Sequence, residues 1–445
     1  MRGLPGTHVV NGLPEGWESR PLGNLVEAKY GKGLRKDRRA DGGIAVYGSN
    51  GQVGRHSSAL SRGTTLVIGR KGTAGAVHFS PGPCWPIDTT YFIDEFPGDL
   101  DPRYLYRFLS SQNLAQLDRS TAIPGLNRDD LYAVRVRLPP LPEQRRIVEK
   151  MERLLEQSRT AREALDPIPS LLKRFRQSVL AKAFRGELTE RDPGDEPASV
   201  LLERIREERR RKWEENLRAK GKDPRRAKYV EPEPPATSGL PELPEAWVWT
   251  ALGDVIELLQ YGSSVKAEGQ EGSGVPIIRM GNIQDGGINL MSLKYVHESS
   301  EDIPRYLLQE DDILINRTNS PELVGKAARW NIDGDYIFAS YLIRLRADTR
   351  IIAPSCLIHV INSETSRGHI ARVRHQVAGQ SNINSHDIRA IPVPLAPLHE
   401  QRQIVAKVEA LFAQADAIEQ AAAKARRRAE QVDQAVLARA FRGEL

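Results

Sequence analysis

The chain repeats one long segment, and this duplication limits its possible folds more than any other feature of the sequence. Residues 138–188 and 395–445 align without a gap at an offset of 257 positions, and 23 of the 51 aligned pairs are identical. Both copies end on Ala-Phe-Arg-Gly-Glu-Leu, which we call the AFRGEL motif. Because the offset is constant, neither copy has gained or lost a residue, so the chain is an internal duplication.

The repeated segment has the apolar spacing of a coiled-coil helix. In both copies apolar residues recur at alternating steps of four and three, which is typical of the a and d positions of a helix–helix seam. Large residues in one copy stand where the other has alanine, which favours two helices packed on each other; an amphipathic helix lying on a globular domain is the alternative. Pro167 and Pro169 should kink or break the first helix. The predicted seam residues are Ile147, Met151, Leu154, Leu172, Phe175, Val179, Ile404, Val408, Leu411, Ile418, Val432 and Val436.

A second, shorter repeat opens each half of the chain. The pattern Leu-Pro-x-x-Trp at residues 13–17 returns at 243–247, an offset of 230, so the second half carries 27 additional residues. We place these between about 258 and 340. The predicted parts are a globular domain at 1–138, a helix at 139–188, a charged helical connector with a proline-rich linker at 189–242, a second globular domain at 243–395 and a second helix at 396–445.

The globular regions contain short β-type runs and few helical patterns. Strands are predicted at 64–68, 134–138, 312–315, 341–345 and 391–395, and helices at 101–117 and 353–376. Mixed elements without regular βαβ alternation indicate an α+β fold, with two mixed α/β domains related by a pseudo-two-fold internal repeat. Residues 201–220 alternate in charge and are interpreted as a solvated helix, whose basic face could alternatively help to hold a nucleic-acid backbone.

Composition narrows the class of protein only moderately. The 445 residues include 64 lysines and arginines against 58 aspartates and glutamates, a net charge of +6 that mildly favours a polyanionic partner. Two cysteines cannot form a disulfide framework or a zinc site by themselves. The first ten residues lack a hydrophobic signal region and no apolar run has the length of a membrane helix, so we expect a cytoplasmic protein.

The sequence contains no recognisable catalytic or metal-binding pattern. The glycine-rich residues 69–75 lack the order of a phosphate-binding loop and are interpreted as a turn that ends a strand. The nine histidines are scattered and are interpreted as structural. Neither an Asn-Pro-Pro-aromatic motif, typical of amino-methyltransferases, nor a glycine fingerprint for the methyl donor is present. We therefore expect another chain to perform any chemistry.

Basic and amide side chains on predicted loops are the remaining candidates for function. The stretch 32–39 is either a solvated loop or a set of phosphate contacts, in which one or two arginines could reach guanine edges. Arg70 and Arg317 each follow an equivalent predicted strand, while Asn127 and Asn384 are interpreted as caps of the turns that follow them. The predicted DNA-binding residues are Lys32, Arg35, Lys36, Arg38, Arg39, Arg70, Lys71, Arg128, Arg279, Asn282, Arg317, Thr318, Asn319, Lys326, Gln380 and Asn382.

These repeats resemble those of one known family, the specificity subunits of type I restriction-modification enzymes, over nearly the whole chain. The marks are the paired Glu-Gln-Arg-x-Ile-Val stretches at 143–148 and 400–405, the paired AFRGEL motifs, and the Leu-Pro-x-x-Trp patterns that end at Trp17 and Trp247. The proline interruption of the first helix and the long connector at 189–242 depart from the family pattern.

The resemblance implies a non-catalytic subunit for DNA recognition. Two target-recognition domains would each read one half of a split sequence, separated by an antiparallel coiled coil whose helices, of about 45 residues, would extend for nearly 70 Å. It also implies two modification subunits that bind S-adenosylmethionine and methylate adenine, and restriction subunits that use ATP and Mg to cut DNA. The specificity subunit would carry no cofactor of its own. Because the two globular regions differ, the half-sites should differ, and lengthening both helices should change only the gap between them.

Two other functions remain open from the sequence alone. A scaffold that binds only proteins would show no salt-sensitive DNA binding when it is complexed with modification subunits. A stand-alone methyltransferase or nuclease is opposed by the missing motifs. Methyl transfer to DNA by the pure chain would favour it.

Overall fold

The structure, a computed structural model, describes residues 9–10, 13–117, 125–267, 274–284, 286–377 and 380–445. The chain divides into two compact units. Unit 1 combines residues 1–167 with 421–445, and unit 2 comprises residues 168–420. Each unit therefore contains one globular domain and parts of both copies of the long repeated segment.

Unit 1 combines short strands with three α-helices in its described N-terminal part. Its 3-10 turns are Leu22–Asn24, Lys36–Arg38 and Leu114–Leu117. Its helices are α1 (Pro102–Ser111), α2 (Arg128–Tyr132) and α3 (Leu141–Leu165). Its strands are β1 (Val9–Val10), β2 (Leu13–Pro14), β3 (Glu18–Pro21), β4 (Lys29–Tyr30), β5 (Ile44–Gly48), β6 (Gly51–His56), β7 (Thr65–Gly69), β8 (Val77–Ser80), β9 (Cys84–Pro86), β10 (Thr90–Ile93) and β11 (Arg135–Leu138).

The central sheet of unit 1 has the antiparallel order β4-β10-β7-β8. A second sheet has the order β6-β5-β9, in which β5 and β9 are parallel, and β3 pairs with β11. Every residue of β7 is buried, and Tyr104 and Phe108 of α1 are buried in the core cluster that also contains Leu66 and Ile68 of β7. The apolar run that predicted a strand at 64–68 is therefore the centre of this core.

Unit 2 contains a larger set of elements. Its 3-10 turns are Pro224–Arg226 and Met280–Asn282. Its helices are α4 (Ile168–Ala183), α5 (Ala198–Ala219), α6 (Leu252–Val255), α7 (Asp302–Tyr306), α8 (Pro354–Ile361), α9 (Glu364–Val373), α10 (Ser385–Arg389) and α11 (Leu398–Ala440), whose residues 421–440 belong to unit 1. Its strands are β12 (Val248–Ala251), β13 (Ile256–Tyr261), β14 (Val275–Ile278), β15 (Ile283–Gln284), β16 (Gly287–Ile288), β17 (Lys294–Val296), β18 (Ile313–Asn316), β19 (Thr318–Asn319), β20 (Ala327–Arg329), β21 (Ile337–Phe338), β22 (Leu342–Ala347), β23 (His375–Val377), β24 (Gln380–Asn382) and β25 (Pro392–Leu395).

Unit 2 repeats the sheet topology of unit 1. Its central sheet has the order β13-β22-β18-β20, its second sheet the order β17-β14-β21 with β14 parallel to β21, and β12 pairs with β25. Unit 2 adds the hairpin β15-β16 and the small sheet β19-β24-β23. The predicted duplication and α+β class are therefore confirmed, and the duplication extends into domains whose sequences have diverged.

The predicted strands are confirmed with shifts of one or two residues at their ends. The predicted helix at 101–117 consists of α1 and a separate 3-10 turn, because the chain leaves the helix at Gln112 and adopts a positive φ of 41° at Asn113. The predicted helix at 353–376 was too long: it is two helices, α8 and α9, and residues 375–377 form strand β23.

A pair of equivalent glutamines shows that the placement of the 27 extra residues before 340 was only partly right. The side-chain oxygen of Gln144 accepts from the main-chain N–H of Asp101 at 2.8 Å, and that of Gln401 accepts from Ala353 at 3.1 Å. The glutamines are 257 positions apart but their partners only 252. Five extra residues therefore follow Ala353, where unit 2 contains α9 and β23 in addition to α8.

The first long helix is interrupted at its prolines, as predicted. The α-helical hydrogen bonding of α3 ends at Leu165 and α4 begins at Ile168, so Pro167 lies between the helices and Pro169 in the first turn of α4. The second copy forms the single helix α11 of 43 residues. Of the helices in the described residues, none is both long and apolar enough to cross a membrane.

Within each unit the two copies pack as antiparallel helices. In unit 1, Lys150 donates to the carbonyl of Leu445, and Asp166 forms an ion pair with Arg426 at 2.7 Å. In unit 2, Arg176 of α4 forms ion pairs with Asp416 at 2.6 Å and Glu419 at 2.9 Å on α11. As the residue number increases along α3 and α4, the residue number of the partner in the second copy decreases. The two copies are therefore antiparallel, as the resemblance implied.

The observed seam between the helices contains fewer residues than the sequence predicted. Phe175, Ile418 and Val432 are exposed, so assigning them to the seam was wrong. All three belong to one of the two series of seam positions that repeat every seven residues. Small residues of the other series meet in the helix pair, where the hydroxyl of Ser158 donates to the carbonyl of Ala429 at 3.1 Å. A straight α-helix drifts relative to a 3.5-residue repeat, so one series turns away from the partner along the helix.

The remaining seam residues divide between the helix pair and the domain cores. Ile147 and Met151 belong to the core cluster of unit 1, and Ile404 and Val408 to that of unit 2, as the amphipathic alternative anticipated for helices lying on globular domains. The buried or half-buried members are Ile147, Met151, Leu154, Leu172, Val179, Ile404, Val408, Leu411 and Val436.

Helix α5 of the connector is not a fully solvated helix. Its residues Leu201, Leu202 and Ile205 are buried in the core cluster of unit 2. Arg206 binds the buried carboxylate of Asp254 through two nitrogens, at 2.9 and 2.7 Å, and Arg209 contacts Asp348 at 2.8 Å. The prediction failed because dense charge hid an apolar stripe whose arginines bind acidic groups of the adjacent domain.

The AFRGEL and Leu-Pro-x-x-Trp motifs meet in both units. Gly443 and Gly186 have left-handed φ angles of 74° and 71°. A Cβ atom would lie 2.5 Å from Pro14 Cγ at Gly443 and 2.4 Å from Pro244 Cγ at Gly186. The motif that ends each long helix therefore packs against the start of a globular domain, and in each unit the two motifs come from different sequence halves.

Candidate nucleic-acid interface

The basic stretch of unit 1 is largely exposed. Lys32, Arg35, Lys36 and Arg38 have exposed side chains, and Lys36–Arg38 is a 3-10 turn. Arg39 differs, because its guanidinium donates to the carbonyl of Val53 at 2.6 Å and to that of Leu34 at 3.5 Å. Arg39 thus holds the loop in place while its four basic neighbours are free to approach a polyanion.

Arg70 lies at the edge of the central sheet where β7 ends. Its main-chain N–H donates to the carbonyl of Thr89 at 2.9 Å, its carbonyl accepts from Leu126 at 2.9 Å, and its guanidinium donates to the carbonyl of Asp88 at 2.9 Å. The guanidinium carbon lies 5.3 Å from the ring centre of Tyr30, the last residue of β4. Four contacts therefore fix the direction of this arginine.

Arg317 has the same arrangement at the end of β18 in unit 2. Its main-chain N–H donates to the carbonyl of Tyr341 at 3.0 Å, its carbonyl accepts from Ile383 at 2.9 Å, and its guanidinium donates to the carbonyl of Ser340 at 3.5 Å. The guanidinium carbon lies 5.0 Å from the ring centre of Tyr261, the last residue of β13. The predicted equivalence of the two arginines thus extends to each of their contacts.

Unit 1 adds further positive charge around Tyr30. The guanidinium carbon of Arg128, at the start of α2, lies 5.1 Å from the ring centre of Tyr30 and 5.8 Å from that of Tyr132. The adjacent Lys71 is exposed and forms a β-bridge with Gly125. The structure thus brings together three of the predicted basic residues.

Unit 2 presents a more polar edge. The Thr318 hydroxyl donates to the side-chain oxygen of Asn382 at 2.7 Å across the β19–β24 pair. The side-chain oxygen of Asn319 accepts from the main-chain N–H of Ser320 at 2.8 Å, and Gln380 is exposed on β24. This edge offers amide groups where unit 1 offers arginine and lysine.

Other predicted residues of unit 2 serve the fold. Asn282 is buried; its side chain accepts from the main-chain N–H of Arg279 and donates to the carbonyls of Asn289 and Met291, so its prediction as a DNA-binding residue was wrong. Arg279 donates to the carbonyl of Ser292 at 3.0 Å. Half-buried Lys326 accepts through its carbonyl from the main-chain N–H of Asn316 at 2.9 Å.

Asn127 and Asn384 cap the short helices α2 and α10, as predicted. The side-chain oxygen of Asn127 accepts from the main-chain N–H of Asp129, and that of Asn384 accepts from His386 and Asp387. These caps place α2 and α10 next to Arg70 and Arg317, since residues 126 and 383 are bonded to the two arginines.

Tyr30 and Tyr261 were missed by the sequence reasoning. Each closes the first strand of a central sheet, and a signal was available, since they lie eight and nine positions after the leucine of the Leu-Gly pair that is shared by the halves. Beside Tyr30, burial raises the pKa of the Tyr91 hydroxyl to about 12, so this group stays protonated and donates to the carbonyl of Leu126 at 3.1 Å. Tyr91 is therefore a hydrogen-bonded neighbour of Tyr30, on whose ring Arg70 stacks.

Two copies of one α+β scaffold present an arginine at the same edge of the central sheet, flanked by further cations in unit 1 and by amide groups in unit 2. This arrangement defines a duplicated nucleic-acid-recognition protein. The family profile described as type I restriction modification DNA specificity domain matches residues 14–166 and 244–425. The chain therefore belongs to this family.

The relatives that resemble this chain are specificity subunits of type I restriction enzymes. The StySPI specificity subunit of Salmonella potsdam is 26% identical over 465 residues, covering 97% of this chain and 90% of that protein. The EcoKI specificity subunit of Escherichia coli strain K12 is 25% identical, with the same two coverages. This chain is accordingly a DNA-recognition subunit, and it belongs to the non-catalytic part of its restriction-modification system.

Solved structures confirm the fold. A chain solved in work on complex assembly and conformational transition of the type I R-M system matches with a TM-score of 0.67 at 19% identity, covering 97% of this chain and 99% of that one. The HsdS subunit from Thermoanaerobacter tengcongensis matches with a TM-score of 0.54 at 20% identity, covering 97% and 98%. Each match extends over nearly the whole of both chains, so this chain shares its fold with those two solved chains.

Proposed function

We propose that each unit of this chain binds one part of a two-part, asymmetric DNA sequence. The carrying observation is that one scaffold presents matched arginines, Arg70 and Arg317, beside edges of different chemistry. Arg128 and Lys71 flank the first arginine, whereas Thr318 and Asn382 flank the second. Arginine and lysine pair well with guanine, and asparagine or glutamine with adenine, so unlike edges favour unlike half-sites.

Phosphate contacts would supply much of the affinity. The exposed cations at 32–38 and the arginines at the sheet edges can displace counterions from duplex DNA, which makes binding weaken as salt rises. Contacts to base edges would supply discrimination of about 1–3 kcal/mol for each good bidentate pair. This division requires that the base-reading groups be held in place, and in unit 2 the Thr318–Asn382 hydrogen bond across the β19–β24 pair holds two of them.

The chemistry would reside in partner subunits. Two modification subunits would bind S-adenosylmethionine and methylate adenine within the bound sequence, and restriction subunits would use ATP and Mg to cut DNA. This chain's contribution would be to bind the target and to position those subunits on it. The proposal is supported by the family membership and by sequence motifs that build the scaffold in both units.

The test uses the full chain together with its modification subunits. Binding to a pool of randomised duplexes, followed by sequencing of the retained DNA, should yield one asymmetric two-part sequence. Methylated adenines mapped in the host genome should fall within the same sequence. Retention of no preferred sequence, or binding that does not weaken between about 50 and 200 mM salt, would overturn the proposal and favour a scaffold that binds only proteins.

A further inference from the structure

The Arg70–Tyr30 and Arg317–Tyr261 pairs are the most closely matched feature of the two recognition edges. We propose that each arginine, supported by its tyrosine ring, binds a phosphate of the DNA backbone and seats its unit on the duplex without selecting bases. This inference rests on the proposed function. It assigns to these four residues a positioning role that is shared by both units.

The matched arginines make the same contacts in both units. In each unit the main-chain N–H of the arginine donates to the carbonyl of the residue just before β10 or β22, and its guanidinium donates to the carbonyl one residue earlier. Each guanidinium also stacks on the tyrosine that ends β4 or β13. Two units that read different sequences can make the same contact only with something that every duplex offers. The phosphate backbone is that common feature.

The state of each guanidinium agrees with an anionic ligand. Within the described residues, neither Arg70 nor Arg317 forms an ion pair with a carboxylate, and the Nε atom of each is buried, so the terminal nitrogens are the groups that a ligand can reach. Each guanidinium has five N–H donors, of which one is used by a main-chain carbonyl. A phosphate oxygen would satisfy donors that the protein leaves unpaired.

The tyrosines are suitable supports because they are partly open to solvent. Tyr30 is 51% exposed and Tyr261 is 37% exposed. A cation held over an aromatic ring keeps its direction and remains charged, and the remaining edge of a planar guanidinium can still face a ligand. The Tyr261 hydroxyl also accepts from the main-chain N–H of Ser385 at 2.9 Å, which ties its ring to α10.

The groups that differ between the units lie beside these pairs. Arg128 shares the ring of Tyr30, while in unit 2 the equivalent helix α10 begins with Ser385. Sequence selection should therefore depend on Arg128 in unit 1 and on residues of β19 and β24 in unit 2. Substitutions there should change the bases that are retained, in contrast to substitutions of the matched arginines.

The experiment compares Arg70→Gln, Arg317→Gln and the double variant with matched controls. The controls are Arg62→Gln and Arg329→Gln, which remove exposed or half-exposed arginines at the opposite ends of β7 and β18. Each chain is studied with its modification subunits. Affinity for the preferred duplex and for an unrelated duplex is measured across a salt series, and the preferred sequence is selected again from randomised DNA.

Each arginine variant should bind both duplexes about tenfold more weakly, and the slope of log affinity against log salt should fall by about one per arginine. The selected sequence and both control variants should match the wild type. Arg70→Lys should retain more affinity than Arg70→Gln, and Tyr30→Leu should lose about threefold while Tyr30→Phe keeps the wild-type value, because the ring supports the arginine. Thermal melting verifies that each variant is folded.

Two results would overturn the inference while leaving the proposed function intact. The first is an altered base preference in either arginine variant, which would make that arginine a base-reading residue. The second is unchanged affinity and salt slope. A wild-type complex that prefers no sequence would instead remove the proposed function, and this inference with it.

Discussion

Gln144 and Gln401 explain at the scale of single residues why the Glu-Gln-Arg motif occurs twice. Each amide is buried and bonds three main-chain groups; Gln144 accepts from the N–H of Asp101 and donates to the carbonyls of Asp99 and Pro139. Both glutamines thereby join the start of a long helix to the start of the helix that covers the domain core. Glutamine is required because only an amide of this length supplies both an acceptor and two donors.

Replacing Gln144 by alanine should lower the free energy of unfolding by about 3 kcal/mol, because three buried main-chain groups lose their partner. Gln401→Ala should have an effect of similar size. Gln157→Ala, on the exposed face of α3, is the control and should change stability by less than about 0.5 kcal/mol. Chemical denaturation measures all three, and a small effect at both buried glutamines would contradict this account.

His359 should make the stability of unit 2 dependent on pH. Burial, aided by the charge of Arg329, lowers the pKa of His359 to about 4, and its ring lies edge-on to Phe412 of α11. The unfolded chain, with an ordinary histidine pKa of about 6.5, binds this proton more readily than the folded one. Stability should therefore fall by about 2 kcal/mol as the pH drops from 7.5 to 5.

A comparison of two histidine variants tests this cause. His359→Phe should remove most of that pH dependence, because phenylalanine cannot bind the proton that His359 takes up when the chain unfolds. His297→Asn, at an exposed position, should leave it unchanged. Denaturation at several pH values is the measurement, and a pH dependence that survives in His359→Phe would assign the effect to other groups.

At the scale of elements, the AFRGEL motif is a helix stop that also anchors the helix. The main-chain N–H of Glu444 donates to the carbonyl of Arg439 at 3.0 Å, and that of Glu187 to Lys182 at 3.0 Å, the pattern of a Schellman C-cap. Left-handed glycine then brings the chain against a proline of the Leu-Pro-x-x-Trp pattern. The two motifs recur together because each forms half of one contact.

Gly443→Ala and Gly186→Ala should each destabilise the protein by roughly 1–3 kcal/mol, since alanine is strained at a positive φ and its Cβ would collide with proline. Gly368→Ala is the control, because this helical glycine of α9 has open space around its Cα and alanine favours a helix. It should be neutral or stabilise by up to about 1 kcal/mol. Thermal melting ranks the stabilities of the three variants, and equal effects at all three glycines would be inconsistent with the cap.

At the scale of the whole molecule, each unit is completed by a segment from the other half of the sequence. Phe441, near the C-terminus of the chain, is buried edge-on to Tyr104 and Phe108 of unit 1, with ring centres 5.6 and 5.2 Å away. Its repeat equivalent Phe184 is buried in the core cluster that contains Trp247. Long-range packing therefore exchanges the two AFRGEL motifs between the globular domains.

Phe441→Ala should lower the free energy of unfolding of residues 13–117 by about 3–5 kcal/mol, as expected for a buried phenylalanine. Phe184→Ala should lower that of residues 248–395 by a similar amount. Hydrogen exchange followed by mass spectrometry measures protection peptide by peptide. The opposite pattern, in which Phe184→Ala loosens residues 13–117, would mean that each motif serves its own sequence half.

The antiparallel direction of the helix pair was implied by the family resemblance. The sequence by itself determined the duplication, the pairing of two long helices, the interruption of the first helix at Pro167, the α+β class and the equivalence of Arg70 with Arg317. These follow from local periodicity, proline geometry and a constant offset, which require no knowledge of distant contacts. Asn127 and Asn384 as caps were predictable for the same reason, since a cap involves neighbours only two or three residues away.

Only the tertiary structure decided which distant groups meet. It buried Asn282, turned Phe175, Ile418 and Val432 to solvent, packed α5 on unit 2, and placed Tyr30 and Tyr261 beneath the matched arginines. A side chain of given type can be structural or free to bind, and the choice depends on partners that folding brings from a few positions away, as at Asn282, to more than a hundred, as for Arg209 and Asp348. Such partners leave no periodic signal in the sequence, because packing selects them by shape and by hydrogen-bond geometry.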